Sequence, residues 1–229
     1  MKVNENRNFL RTTNNLNFMN RKVLVFGATG KTGIKICEQL NESKISHVAF
    51  VRNHPENKTV LQNTELIYGN VLNEADIVNA LKANAFTDIV ISLGSRDFKN
   101  TNIRSAGTKN ILEVLNKLSI NCKIHVISAL GVGESWAQVD WFGKLICKVL
   151  IRNTMKDHEA QEKIVINSNF KFHILRPVGL TDGELTGKTL NQTQGFLPSN
   201  QISRADVAKY LVDNLRNDKI GFSSICKAN

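Results

Sequence analysis

Near its start the chain runs a short apolar segment, Val23-Leu24-Val25-Phe26, directly into Gly27-Ala28-Thr29-Gly30-Lys31-Thr32-Gly33, and a helical pattern follows at once. A strand, a glycine-rich turn and a helix in that order leave few folds open. The first glycine permits the sharp turn, the second lets a pyrophosphate reach the backbone, and the third lets helix and strand pack closely. The helix N-terminus then supplies free N–H donors for an anion. Gly30-Lys31-Thr32 mimics a triphosphate P-loop, but that motif needs a glycine where Val25 stands.

The rest of the chain repeats the unit. Apolar runs rich in β-branched residues at 23–26, 47–51, 66–68, 89–92, 124–128 and 172–175 read as strands. Between them, 32–40, 74–81 and 103–118 place apolar residues at three- and four-residue intervals, as helices resting on a sheet do. Two more helices fit within 140–168, and a last one fits 204–215 with Ser203 as its N-cap. This βαβ alternation predicts an α/β fold, a doubly wound parallel sheet with helices on both faces. With 229 residues, 41% hydrophobic and 22% charged, three prolines and no repeat, one domain at 21–229 is expected. Any substrate cleft belongs at the carboxyl ends of the strands.

If a dinucleotide lies on the turn, the end of the second strand touches its adenosine ribose. Phe50-Val51-Arg52-Asn53-His54 offers no acid there for a 2′-hydroxyl. The Arg52 guanidinium suits a 2′-phosphate, so NADP(H) is the expected cofactor.

Residues 1–22 carry seven asparagines, five basic residues and one acid, which predicts a disordered arm over about 1–20. Arg7, Arg11 and Arg21 suggest a mitochondrial presequence, but serine is absent and no amphipathic face emerges. A start at Met19 fits better. The four cysteines, Cys37, Cys122, Cys147 and Cys226, lie far apart with no CxxC pair, which suits reduced thiols in the cytoplasm. No metal site is expected, and no run approaches a membrane span. The formal charge of +10 points to an acidic partner without choosing one, and no nucleic-acid module accompanies it. Lys144, Lys148, Arg152 and Lys156 recur every four residues, opposite Leu145, Ile146, Val149 and Leu150. That stripe reads as a solvated helix face, or as a contact for an anionic substrate such as a flavin phosphate, a partner protein or a membrane surface.

Six motifs in order resemble the atypical short-chain dehydrogenase/reductases with an NAD(P)-binding Rossmann domain. They are the glycine-rich turn, Val51-Arg52, Gly69-Asn70-Val71, Ser92-Leu93-Gly94-Ser95-Arg96, Ile127-Ser128-Ala129-Leu130-Gly131 and Leu175-Arg176-Pro177-Val178-Gly179-Leu180-Thr181-Asp182. Leu93-Gly94-Ser95-Arg96 is most similar to the flavin reductase and biliverdin reductase B branch. The resemblance implies that Asn70 and Val71 lie against adenine and that Leu93, Gly94, Ser95 and Arg96 line the dinucleotide. It further implies that Ser128, Pro177, Val178 and Gly179 approach the nicotinamide. His158, nineteen residues before Pro177, stands where the family often has a cofactor-facing Lys or His. Ser128 and His158 are thus the candidate catalytic residues.

The chain also departs from the family. Its tyrosines, Tyr68 and Tyr210, are followed four residues on by Leu72 and Asn214, so the usual Tyr–Lys pair is missing. The second position of the family's Ser-Ser pair is Ala129, and Gly179 replaces a histidine of the reductase branch, which weighs against tetrapyrroles. What remains is hydride transfer to a small conjugated acceptor, a flavin or quinone, which disperses the charge and takes its proton from water. The rival reading is a non-catalytic, NADP(H)-occupied sensor of the nitrogen-metabolite-repressor-like kind. A third is an epimerase-like or isoflavone-reductase-like enzyme with Lys156 as acid.

Overall fold

The computed structural model describes residues 21–54, 56–95 and 102–228. The predicted arm and Arg96 lie outside the described residues. An eight-stranded sheet has the order β3-β2-β1-β4-β5-β6-β10-β8. Its strands are β1 (Lys22–Phe26), β2 (Ser46–Val51), β3 (Glu65–Tyr68), β4 (Asp88–Ile91), β5 (Lys123–Ile127), β6 (Phe172–Pro177), β8 (Thr189–Asn191) and β10 (Gly221–Lys227). All neighbours pair parallel except β8, which runs antiparallel to β10. β7 (Gly179–Thr181) and β9 (Gln201–Ser203) form a separate two-stranded parallel sheet.

Alternation along β1 shows why its apolar run is continuous. Val23 and Val25 face one layer, formed by α1 (Lys31–Glu42) and α7 (Arg204–Asn217) through Ile36, Leu40, Val207 and Leu211. Leu24 and Phe26 face the other, formed by α3 (Glu74–Lys82), α4 (Ile103–Lys117) and α6 (Arg152–Ile166) through Ile77, Ile111, Leu115 and Val165. A strand covered on both sides has no polar face to show. The short α2 (Asn57–Val60) and α5 (Trp141–Val149) complete the helices, and a 3₁₀ turn spans Gly133–Gln138. Ser203 caps α7 as expected, its Oγ accepting from the Asp206 amide at 3.0 Å.

Four strands, β7 to β10, lie outside the sequence expectation. β10 carries Ser223 and Ser224 mid-strand, a polar pair that hides its apolar signal. Both are buried, and Ser223 Oγ lies 3.0 Å from His173 Nε2 on β6.

Candidate functional site

Strand order reverses between β1 and β4, and the carboxyl ends of β1, β2, β4, β5 and β6 open there onto one edge. Gly27 turns the chain out of β1 with φ +81°, and a Cβ on it would meet Ser92 O at 2.3 Å. A Cβ on Gly33 would lie 2.2 Å from Gly27 O and 2.8 Å from Ala28 Cα. Both clashes are with backbone, so neither position admits a side chain. Gly30 donates to Gly27 O at 3.0 Å and opens α1, which no side chain caps. The first-turn amides of α1 therefore retain their capacity for an anion. Gly33→Ala is expected to cost about 1 to 3 kcal/mol by overpacking, and to weaken nucleotide binding about tenfold or more through the displaced turn. Thermal melting and nucleotide titration of that variant check both.

Around the turn, Ala28 and Thr32 are buried while Thr29 and Lys31 are exposed. Lys31 Nζ donates to Asp182 at 2.6 Å, and Arg204 Nη1 donates to the other Asp182 oxygen, also at 2.6 Å. The bond from Lys31, with Arg204 nearby, holds the Asp182 carboxyl below its usual range. This clasp joins the turn to the segment after β7. Arg52 stands exposed at the end of β2, with no ion-pair partner among the described residues. Asn70 folds its side chain over its own loop, Oδ1 accepting from the Leu72 amide at 3.0 Å, and Val71 packs into the core. Leu93, Gly94 and Ser95 follow β4. Val178 is buried in the core, whereas Pro177 ends β6 and Gly179 begins β7.

The two candidate catalytic residues meet different surroundings. Ser128 is buried at the end of β5, and its hydroxyl donates to Glu162 Oε1 at 2.5 Å. Arg176 clamps the same carboxylate bidentately, Nε at 3.0 Å and Nη2 at 2.6 Å, with its guanidinium over Phe222. His158 is buried on α6, and burial, reinforced by the Arg104 guanidinium, pushes its pKa down to about 3. Its ring stays neutral at physiological pH, and Nδ1 has no partner among the described residues.

Arg104 and Asp157, which sequence reasoning missed, link these parts. Asp157 caps α4 from the neighbouring helix, accepting from the amides of Arg104 and Ser105 at 3.1 and 3.0 Å. The Arg104 guanidinium reaches under the loop after β4, within 3.6 Å of where a Gly94 Cβ would lie. An arginine in the first turn of a helix opposes the helix dipole, and that was the available signal. A Tyr–Lys contact does exist, Lys219 Nζ donating to Tyr210 Oη at 3.1 Å. It lies by Ser223 and His173, toward the opposite ends of the strands.

The glycine cradle, the uncapped α1 and Arg52, without an ion-pair partner among the described residues, fit a dinucleotide. A family model described as NAD(P)H-binding matches residues 27–218. The chain belongs to this NAD(P)H-binding family. It is 25% identical over 212 residues to an uncharacterised chloroplastic protein of Arabidopsis thaliana, covering 90% of this chain and 75% of that one. ChuY, an anaerobillin reductase from Escherichia coli O157:H7, superposes with a TM-score of 0.73 at 23% identity, covering 91% of this chain and 98% of its own. A wide-type short-chain dehydrogenase/reductase from Veillonella parvula, solved with NADP, gives 0.74 at 15% identity, covering 91% and 95%. The NAD(P)-binding Rossmann fold read from the motifs agrees with the family model and with the fold of these structures.

Proposed function

We propose that the chain is an NADPH-dependent reductase that passes hydride to a small conjugated acceptor, a flavin or a quinone. The observation that carries this reading is the glycine cradle at an uncapped helix start, with Arg52 at the next strand end free of any ion-pair partner among the described residues. The bound nicotinamide supplies the hydride. Gly27, Gly30, Gly33 and the α1 amides hold the pyrophosphate, and Arg52 holds the 2′-phosphate. Asn70 and Val71 border the adenine, and Leu93 to Arg96 line the dinucleotide. Ser128, His158, Pro177 and Gly179 frame the nicotinamide.

Neither Ser128, committed to Glu162, nor His158, held neutral, offers an acid titrating near pH 7. That suits an acceptor which takes its proton from water. The same observation favours the second reading, a cofactor-occupied sensor without turnover. Loss of the nicotinamide absorbance when flavin mononucleotide or a short-chain quinone is added to protein and excess NADPH supports the enzyme. Tight binding with no loss above the protein-free rate supports the sensor.

Arg52→Ala is expected to weaken NADPH binding by about 1.5 to 3 kcal/mol, the worth of a charge-assisted contact, and to leave NADH nearly unchanged. Equal losses for both would remove Arg52 from the site. Burial pushes the Cys37 and Cys122 thiols up to about 12, so they stay protonated and inert. No helix of the described residues is long and apolar enough to cross a membrane. Inert, unpaired thiols support placing the protein in the cytoplasm.

A further inference from the structure

α5 turns most of its large apolar side chains to solvent. Trp141, Leu145 and Val149 fall four residues apart on one face with Phe142 beside them. They and the adjoining Leu150 are 53% to 79% exposed, and no residue of α5 is buried. Its less exposed side carries Gly143, Ile146 and Cys147, and Gly143 approaches Val139, while Lys144 and exposed Lys148 border the apolar face with Nζ 5.8 and 5.6 Å from the Trp136 ring. A cavity of about 740 Å³ beside the helix is lined by Trp136, Cys147, Lys148, Arg152 and Lys156 among others. Exposed large apolar residues elsewhere in the described chain are scattered singly, which is ordinary. Five within ten residues are not.

We propose that α5 docks the protein on an anionic lipid bilayer, Trp141, Phe142, Leu145, Val149 and Leu150 entering the headgroup boundary. Charge complementarity chooses this occupant. From 141 to 156 the chain carries Lys144, Lys148, Arg152 and Lys156 and no acid, and none of the four forms an ion pair with a described residue. Apolar side chains with a tryptophan, flanked by unpaired cations, are what an anionic interface binds. A second copy is disfavoured, because a two-fold contact of this face on itself would bring the cations together. The inference stands apart from the reading of the nucleotide site.

The test is sedimentation of the full chain with vesicles of phosphatidylcholine alone and of phosphatidylcholine with phosphatidylglycerol in equal parts. Binding to the mixed vesicles is expected to be about tenfold or more tighter, given the pull of several cations, and to weaken as salt is raised. The triple variant Trp141→Ser, Leu145→Ser, Val149→Ser removes only exposed groups and is expected to keep its circular dichroism and melting temperature while losing about tenfold in vesicle binding. Trp136→Phe leaves Trp141 as the sole tryptophan, and its emission should shift to the blue on mixed vesicles. No sedimentation, an unmoved Trp141 emission, or unchanged binding of the folded triple variant would each overturn the proposal. A dimer in solution that the triple variant disperses, without vesicle binding, would assign the face to a second copy instead.

Discussion

Glu162→Ala is expected to lose about 3 to 5 kcal/mol of stability, because it leaves the buried Arg176 guanidinium without its bidentate partner. For a chain of this length such a loss lowers the melting temperature by roughly 10 °C or more. Glu134, the other carboxylate on Arg176, is exposed and sits at 3.2 Å, so it replaces little of the lost interaction. The same substitution frees the Ser128 hydroxyl, which donates to Glu162. Nucleotide binding should therefore weaken along with stability, since Pro177 and Gly179 follow Arg176 directly. Glu162→Met with Arg176→Met separates the causes. If the penalty is an unpaired buried charge, the double variant recovers most of the stability, whereas a double variant as unstable as the single one shows that packing was lost instead. Thermal melts of the three proteins decide it.

Acid should unfold the protein well above the pH at which carboxylates titrate. His158 and His173 are buried, and burial first, then neighbouring cations and, for His173, His125, pushes both down to about 3 from 6.5. Burial also lowers His47 and His125. A folded-state pKa below the unfolded one means that the unfolded chain binds the proton first. The stabilisation is complete above about pH 6.5 and drains away as pH falls toward 3. At about pH 4.5, His158 and His173 each cost on the order of 2 to 3 kcal/mol relative to pH 7. Together that approaches the whole stability of an ordinary domain. The urea midpoint should drop steeply between pH 6.5 and 4.5 with little change in slope, and His173→Phe should flatten the pH dependence by about one proton. A midpoint level across that range would contradict the assignment of neutral buried rings.

The sheet was legible where apolar residues alternate with turns, since β1, β2, β4, β5 and β6 are covered on both faces and advertise themselves. β10 was not, because Ser223 in its middle is satisfied by His173, fifty residues away. The glycine turn was legible because Gly27 and Gly33 each answer a backbone contact that any side chain would break. By contrast, Asp157 and Arg104 stand fifty-three residues apart, and only folding brings α6 onto the start of α4. Lys31 shows a similar limit: nothing in the sequence pairs its ammonium with Asp182. In α5 the amphipathic pattern was plain, yet its orientation was not. Periodicity tells which residues share a face, and only the exposure of Trp141, Leu145 and Val149 shows that theirs looks outward.

If the glycine turn and Arg52 together form an NADPH site, calorimetric titration of the purified full chain with NADPH and with NADH will separate the two nucleotides. Stoichiometric NADPH binding at least about tenfold tighter than NADH is expected, the difference a single 2′-phosphate contact supplies. Equal affinities, or no binding of either nucleotide, would contradict it.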